Sequence, residues 1–497
     1  MTESLSRAAR RLTEKLVRIE SVSPSAGESR VASALGAHLA RAGLKVAPPR
    51  ASALADGRRN LYAVAPGRGR AAVVFLGHTD TVGVADFAGG GTTAADAFRP
   101  ERLAAPAGFL RGRGVLDMKS GLAAAAVAAA ARARSGPRRG SVVVCAVADE
   151  ENESAGIRHA LPRLARMKRR LDLRGVVNVD YVTRTESGRI PVYAGTVGKM
   201  LAGVFARGLP AHAGDPLRGL DAGLLVAEAI REIDLDPDLG DRAAAPPALL
   251  RFGDLMGAYN VQTPHEAFAF FNVLFRDGDP RAILSRFERA LRRAAESARR
   301  RLARRRRGVL ARIAVRRWSR IAGRGRRPRA VPPGADGRVA ALDAVRAALR
   351  GGGGGEGACL VLFLAPPFYP PDDGSRSGAL IAAFERAVED RDEFEVRRFY
   401  PYVSDLSLLS LSRLAERALE AVEEEMPVGH GLPVADMRRV GLPALNVGPV
   451  GTGAHEKSER VETRFAFDAL PEILLKLAGE IVAGEGGGSR RVRARRR

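Results

Sequence analysis

Residues 71–81 read AAVVFLGHTDT, an apolar run that ends in a histidine and an aspartate two positions apart, His78 and Asp80. The same arrangement recurs along the chain. Asp149, Glu150 and Glu151 follow SVVVCAVA, Asp180 ends GVVNVD, and His455 stands just past ALNVGP in VGTGAHEKSER. Asp117 lies in GRGVLDMKSG, ahead of an alanine-rich run. Taken singly, each motif has an ordinary reading: a histidine and acid capping a strand end, a solvated acidic turn, an aspartate capping a helix. Taken together they say more, because two of only seven histidines fall at such positions, and open α/β sheets bind ligands outside the carboxyl ends of their strands. Imidazole and carboxylate ligands without cysteine suit Zn²⁺, Mn²⁺ or Co²⁺. Two such ions about 3.5 to 4 Å apart can share a carboxylate, lower the pKa of water between them and polarise a carbonyl. The side chains of Glu150 and Glu151 must point differently, so one can bind metal while its neighbour moves a proton.

Positioning such groups requires strands that end together. The first 190 residues alternate helical and strand patterns: helices near 4–18, 28–43 and 120–134, strands near 60–65, 71–77, 141–148 and 175–180. Short, nearly continuous apolar strands between helices predict an α/β domain with a mostly parallel sheet covered by helices. From about 191 the pattern changes to one strand in IPVYAGTVGKMLAGVFA, a helix in GLDAGLLVAEAIREI, strands at 248–253 and 266–275, and a long basic helix from Pro280. That order predicts an α+β domain with helices on one face of an antiparallel sheet. The α/β pattern resumes with a strand at 358–367. The chain thus reads as a first α/β part (1–190), an inserted domain (191–335) and a second α/β part (336–497), with a connection at 322–337 and a loop at 351–358.

The formal net charge of +24 invites an anionic partner such as nucleic acid. Arginine runs are concentrated at 292–320, 320–329 and 490–497, with Trp318 as the one aromatic of the first two. Base-stacking surfaces need interleaved aromatics, so a solvated basic face is the expected reading and nucleic acid is not an expected partner. Cys145 and Cys359 sit in apolar runs and read as buried reduced thiols. The N-terminus is amphipathic and charged, and no stretch reaches the 18 or so apolar residues of a membrane span. A cytoplasmic protein without membrane association is expected.

The segments GHTDTVG, GRGVLDMKSG, VADEENES, NVDYVT and GTGAHEKSERV together resemble the five signature segments of the zinc-dependent aminoacylase and carboxypeptidase family of metallohydrolases. That family includes acetylornithine deacetylase, succinyl-diaminopimelate desuccinylase and glutamate carboxypeptidase. GLPAHAGDPLRGLDA is similar to its histidine segment, and YNVQTPHEAFAFFN, VLFLAPPFYPP and FYPYVSDLSLLSL resemble the arginine-utilisation (RocB-type) branch. The resemblance implies a zinc-exopeptidase-like α/β fold with an inserted ferredoxin-like lid and dimerisation domain. It implies that His78, Asp117 and Asp180 hold one divalent ion and Asp117, Glu151 and His455 a second. The ions would be zinc, with manganese or cobalt as alternatives. Asp80 would orient His78, Glu150 would act as general base, and His212 would stabilise an oxyanion in a neighbouring subunit's site. The implied activity is hydrolysis of the amide C–N bond of an N-acyl amino acid or short peptide in an amino-acid catabolic setting. Lys199, Arg218 and Asn260 are candidates for holding a substrate carboxylate. The competing readings are a non-catalytic binding or regulatory protein on the same fold, and an anion binder that uses the arginine runs. The segment 292–330 matches none of the motifs and falls where the inserted domain should return. His38, His159, His265 and His430 receive no role.

Overall fold

A computed structural model describes residues 4–89, 91–136, 138–258, 260–304, 312–323, 328–331, 335–353 and 357–484. Parts of the basic run after the long helix and the basic tail at 490–497 lie outside the described residues. The chain forms two compact units, one of residues 1–195, 374–398 and 435–497, the other of 196–373 and 399–434.

The first unit is built on an eight-stranded sheet. Its spatial order is Lys45–Val46, Leu61–Ala65, Arg139–Val147, Arg68–His78, Asp172–Asn178, Ala444–Asn446, Ile190–Thr196 and Phe394–Tyr400. The four strands from Arg139–Val147 to Ala444–Asn446 run parallel, and antiparallel strands flank them, so the sheet is mixed. In the centre Val74 pairs with Val143 and with Val176, which ends the three strands at one edge. Parallel strands buried on both faces need no polar alternation, and Val73–Leu76 and Val142–Val147 are buried throughout.

Helix Ser120–Arg134 packs against Arg68–His78 and Arg139–Val147, and also against helices Leu5–Val17, Ala26–Arg41 and Leu470–Ala483. Neighbours on so many sides leave no solvent stripe, and Ala123–Ala130 are all buried. Alanine serves here twice, as the strongest helix former and as a side chain small enough for close approach. At Gly121 the approach is closest, since a Cβ there would lie 2.0 Å from the Val179 carbonyl oxygen. This contact sets the start of the helix, and Asp117 just before it, against the end of the strand that leads to Asp180. Cys145 is buried and unbridged, as expected.

The second unit carries a five-stranded sheet in the order Ala314–Arg317, Cys359–Tyr369, Gly198–Arg207, Glu266–Phe275 and Ala248–Asp254. Without the first of these, the strands and the helices Ala222–Ile233 and Pro280–Ala303 follow a βαββαβ path with spatial order 4-1-3-2, the ferredoxin-like arrangement. Three expectations are corrected here. The apolar run 190–206 is two strands, Ile190–Thr196 and Gly198–Arg207, which enter different sheets. The unit does not end near 335: Cys359–Tyr369 pairs antiparallel with Gly198–Arg207, from Cys359 opposite Arg207 onward, and residues 399–434 belong to this unit as well. Both faces of the sheet are covered, not one. Phe271 meets Phe287 of helix Pro280–Ala303 on one face. Phe205, Phe268, Phe270 and Phe363 pack with Trp318 and helix Gly337–Ala348 on the other. Continuous apolar runs do not reveal which sheet they join, which is why the boundary was misplaced.

The arginines of helix Pro280–Ala303 are extensively paired: Arg292 with Glu288 at 2.6 Å, Arg293 with Glu232 at 2.7 Å and Arg299 with Glu296 at 2.8 Å. No helix among the described residues is long and apolar enough to cross a membrane.

Candidate metal centre

All seven catalytic-type residues of the first unit lie at or just beyond strand ends, or on the loop that enters helix Ser120–Arg134. His78 is the last residue of its strand, 2% exposed. Its Nδ1 lies 3.1 Å from the Asp80 backbone oxygen and 3.5 Å from the Asp80 carboxylate. Acceptors thus stand at both ring nitrogens, the Asp80 groups at Nδ1 and Asp117 Oδ1 at Nε2, 3.0 Å away. His78 Nδ1–H donates chiefly to the Asp80 carbonyl. The Asp80 carboxylate also accepts the Glu151 N–H at 2.9 Å, tying the two strand ends together.

Asp117 is divided between two imidazoles. Its Oδ1 faces His78 and its Oδ2 lies 3.0 Å from His455 Nε2. Glu151 Oε2 approaches the same His455 nitrogen at 3.1 Å. His78, Asp117 and Glu151 offer ligand atoms within 4.8 Å of one another. Asp180 is 5% exposed, and the charges of Asp117, His78 and Glu151 all reach it.

These groups perturb one another strongly. Burial alone would lower the His78 pKa, but Asp117 and Asp80 hold it well above the imidazole norm. His455 is treated likewise: burial opposes its charge, while Asp117 and Glu151 push it up to about 11. Its side chain is 51% exposed, so water screens part of that effect. Asp117 is held below the carboxylate range by the two histidines, against burial. Burial and then the Asp117 charge raise both Glu151 and Asp180. Three carboxylates and two imidazoles crowded together in low dielectric are costly unless cations are shared among them. Glu151 Oε1 is buried with no hydrogen-bond partner, an oxygen with a lone pair to give.

The supporting residues were not found by motif reading. Glu459, 0% exposed, accepts the N–H groups of Gly114 at 2.7 Å, Leu116 at 3.2 Å and Asp117 at 3.3 Å through Oε1. Its Oε2 takes Arg113 at 2.6 Å. One carboxylate thus shapes the loop that presents Asp117. Gly114 fits this loop with φ at 79°, a conformation that favours glycine. On the far side of the glutamate pair, Arg58 joins Asp149 at 2.6 Å and Glu28 at 2.9 Å, and Glu28 accepts the Asp149 N–H at 2.8 Å. Glu28 also completes a capping box with Ser25 at the start of helix Ala26–Arg41. The spacing S-x-x-E was visible in the sequence; its second task was not. Asn446 bonds the Asp180 carbonyl at 2.9 Å and accepts from Asn178 at 3.1 Å.

In the second unit, His212 is exposed, and its Nδ1 accepts the Gly214 N–H at 3.0 Å. That leaves the ring proton on Nε2 as an outward donor. His212 bridges Gln262, and the Asn260 carbonyl oxygen accepts the Gln262 N–H at 2.9 Å, so the amide NH₂ of Asn260 is the part able to meet a ligand. Arg218 is also exposed, 3.9 Å from Asp215. Lys199 is not in this group. It stands at the beginning of strand Gly198–Arg207, opposite Leu274, whereas His212 follows the strand's end, roughly 26 Å away at ~3.3 Å per residue.

A mixed sheet with acidic and imidazole side chains at its strand ends, in a chain that also forms a ferredoxin-like unit, is the architecture of a metallopeptidase type of hydrolase. The chain belongs to peptidase family M20/M25/M40, whose model matches residues 74–479, and it is a hydrolase of amide C–N bonds. Its relatives include the uncharacterized protein YqjN of Bacillus subtilis (strain 168), 28% identical over 416 residues, covering 76% of this chain and 75% of that one. Protein RocB of the same organism is 25% identical over 481 residues, 84% of each chain. Among solved structures, the M20 family metallo-carboxypeptidase Sso-CP2 from Sulfolobus solfataricus aligns with a TM-score of 0.58 at 13% identity, covering 97% of this chain and 100% of that one. YXEP of Bacillus subtilis, a dinuclear metal binding peptidase from the M20 family, aligns at 0.51 and 12% identity, covering 96% and 99%.

Proposed function

We propose that the strand-end cluster is a two-ion hydrolytic centre that cleaves an N-acyl amino acid or a short peptide. The observation that carries this reading is the division of Asp117, one oxygen toward His78 and the other toward His455 at 3.0 Å each. A carboxylate shared in this way is what two neighbouring cations require. His78, Asp117 and Asp180 would hold one ion and Asp117, Glu151 and His455 the other, with the unpartnered Glu151 Oε1 as a further donor. Imidazole and carboxylate donors suit zinc, with manganese and cobalt as alternatives. Bound ions would polarise the scissile carbonyl and acidify the attacking water.

The remaining chemistry belongs to the side chains. Glu150 takes a proton from the water as its oxygen bonds to the carbonyl carbon, then passes that proton to the leaving nitrogen as the C–N bond breaks. The products are a carboxylate and an amine. Asp80 fixes the His78 ring and the Glu151 backbone, so it acts by positioning. His212, with its proton on Nε2, serves as an oxyanion donor in the site of a second copy, which makes the working unit a homodimer joined through the second unit. Arg218 and the Asn260 NH₂ are the groups near His212 suited to a substrate carboxylate, and Lys199 stands at the other end of its strand. The similarity to RocB supports a setting in arginine catabolism, and the reduced, buried cysteines suit a cytoplasmic location.

The test is metal analysis combined with a screen of N-acyl amino acids and dipeptides in the presence of Zn²⁺, Mn²⁺ or Co²⁺. Close to two ions per chain and metal-dependent turnover are expected; full turnover by chelated, metal-free protein refutes the mechanism.

A further inference from the structure

Strand Arg139–Val147 leads to Glu150 and Glu151 through a turn whose backbone is unusual. Among the described residues four that are not glycine have a left-handed φ, and three of them belong to the candidate site or to the loop that carries the glutamate pair: Asp149 at 69°, Ser154 at 54° and His455 at 67°. Asp149 directly precedes Glu150. In a strand the pleat decides which way each successive side chain points, and a left-handed residue breaks the pleat. The direction of Glu150 therefore depends on what holds Asp149.

Asp149 is 1% exposed, and each of its polar groups is bonded. Its N–H donates to Glu28 Oε1 at 2.8 Å, and its carbonyl accepts the Ser154 N–H at 2.7 Å, which closes the loop. Its Oδ1 accepts from Arg58 at 2.6 Å and from Ser23 at 3.1 Å. Its Oδ2 accepts the Ala155 N–H at 3.1 Å, so the carboxylate also caps helix Ala155–Arg170. On the other side of Glu150, the Glu151 N–H is held separately, by the Asp80 carboxylate at 2.9 Å. Charge balance accounts for a cation beside the buried Glu28 and Asp149 carboxylates. It does not account for the bonds to the Asp149 backbone, or for a left-handed aspartate just before the residue that must move a proton.

We propose that Arg58 and Asp149 are positioning residues for the general base: Arg58 and Glu28, acting through Asp149, fix the direction in which Glu150 leaves the strand, whereas Asp80 fixes Glu151. The inference rests on the reading of Glu150 as that base. Because the two glutamates are held by different partners, loosening Asp149 disturbs proton transfer more than metal retention. A misplacement of about 1 Å at a reacting group costs about 10²-fold in rate.

Two mild variants of the full-length, metal-loaded chain test this. Arg58→Lys keeps a cation and loses the planar fork. Asp149→Asn keeps the size and the tolerance for a left-handed φ, but sets an NH₂ donor against the donors that surround the carboxylate. Amide hydrogen exchange at Ser154 and Ala155 should become about tenfold faster or more in both, with strand Arg139–Val147 unchanged. On the best substrate of the N-acyl amino acid and dipeptide screen, kcat should fall about tenfold to 10²-fold, with KM and metal content as in the parent. A merely structural role predicts faster exchange along the whole strand and loss of metal together with turnover, and that result overturns the proposal. Unchanged exchange at Ser154 and Ala155, or an unchanged kcat in both variants beside an inactive Glu150→Gln, overturns this inference alone. Glu150→Gln as active as the parent overturns the assignment of the base and this inference with it.

Discussion

Glu459→Ala is the substitution whose cost the structure specifies best. The side chain is fully buried and has four partners: the backbone N–H groups of Gly114, Leu116 and Asp117, and the Arg113 guanidinium, itself 1% exposed. Burial pushes the carboxyl up to about 7, and Arg113 and the backbone donors pull against that. Its four partners among the described residues are all donors, so the ionised form is the one the site is built for. Removing one partner of a buried ion pair typically costs about 3 to 5 kcal/mol. Arg113 keeps Asp86 at 3.2 Å, which places this loss near the lower end. Orphaned buried N–H groups add about 1 kcal/mol each where water does not reach them. The expected total of about 4 to 6 kcal/mol is a large share of an ordinary domain's stability of about 5 to 15 kcal/mol. Glu459→Gln keeps an acceptor for the three N–H groups and should cost about half as much. Urea unfolding of metal-free protein, followed by circular dichroism, measures both. An alanine variant within about 1 kcal/mol of the parent, with unaltered metal retention, would refute the idea that Glu459 shapes the Asp117 loop.

Other substitutions separate the remaining roles. Glu150→Gln should retain its metal and lose about 10²- to 10⁴-fold in turnover; a variant as active as the parent removes Glu150 from the proton path. Arg58→Met leaves Glu28 and Asp149 buried without their shared cation and should destabilise by about 3 to 5 kcal/mol, which thermal or urea unfolding will show or deny. His212→Ala should reduce kcat about 10²- to 10³-fold without changing metal content, and equal activity of the two proteins contradicts the oxyanion role. Metal loading should also release protons. With both imidazoles raised, the metal-free site holds them protonated at neutral pH, and a cation must displace those protons to bind. Apparent metal affinity should therefore fall as pH falls, and calorimetry in buffers of different ionisation enthalpy should register about two or more protons expelled. For the metal-free protein the sign is opposite: the imidazolium–carboxylate contacts support the fold fully below about pH 6.5 and weaken as pH climbs toward the raised His455 value. A metal titration with no proton release would show that the imidazoles are neutral beforehand.

The side-chain types of the candidate site and their strand-end placement were legible in the sequence because both depend on local pattern. An apolar run of seven residues followed by a polar pair is a strand end whatever surrounds it, and the alanine run after Asp117 announces a helix by propensity. His78, Asp117, Glu151 and His455 do converge, and Asp80 does stand behind His78. The supporting contacts were illegible for a plain reason: Glu459 and Gly114 are separated by 345 residues, and Arg58 and Asp149 by 91. Nothing local to Glu459 distinguishes it from a surface glutamate in a charged turn.

Local pattern, with the resemblance carried by the signature segments, was thus enough to state a hydrolase of this family, its α/β class and a ferredoxin-like insertion. Tertiary structure alone decided which sheet each apolar run joins. Cys359–Tyr369 is as continuous and apolar as any central strand of the first sheet, yet its antiparallel pairing with Gly198–Arg207 places it in the second unit. It also decided that Asp117 divides its oxygens between two histidines, and that Lys199 and His212 stand at opposite ends of one sheet. Backbone pairing and carboxylate orientation are set by partners distant in the chain, and periodicity carries information only about neighbours within a turn or a strand.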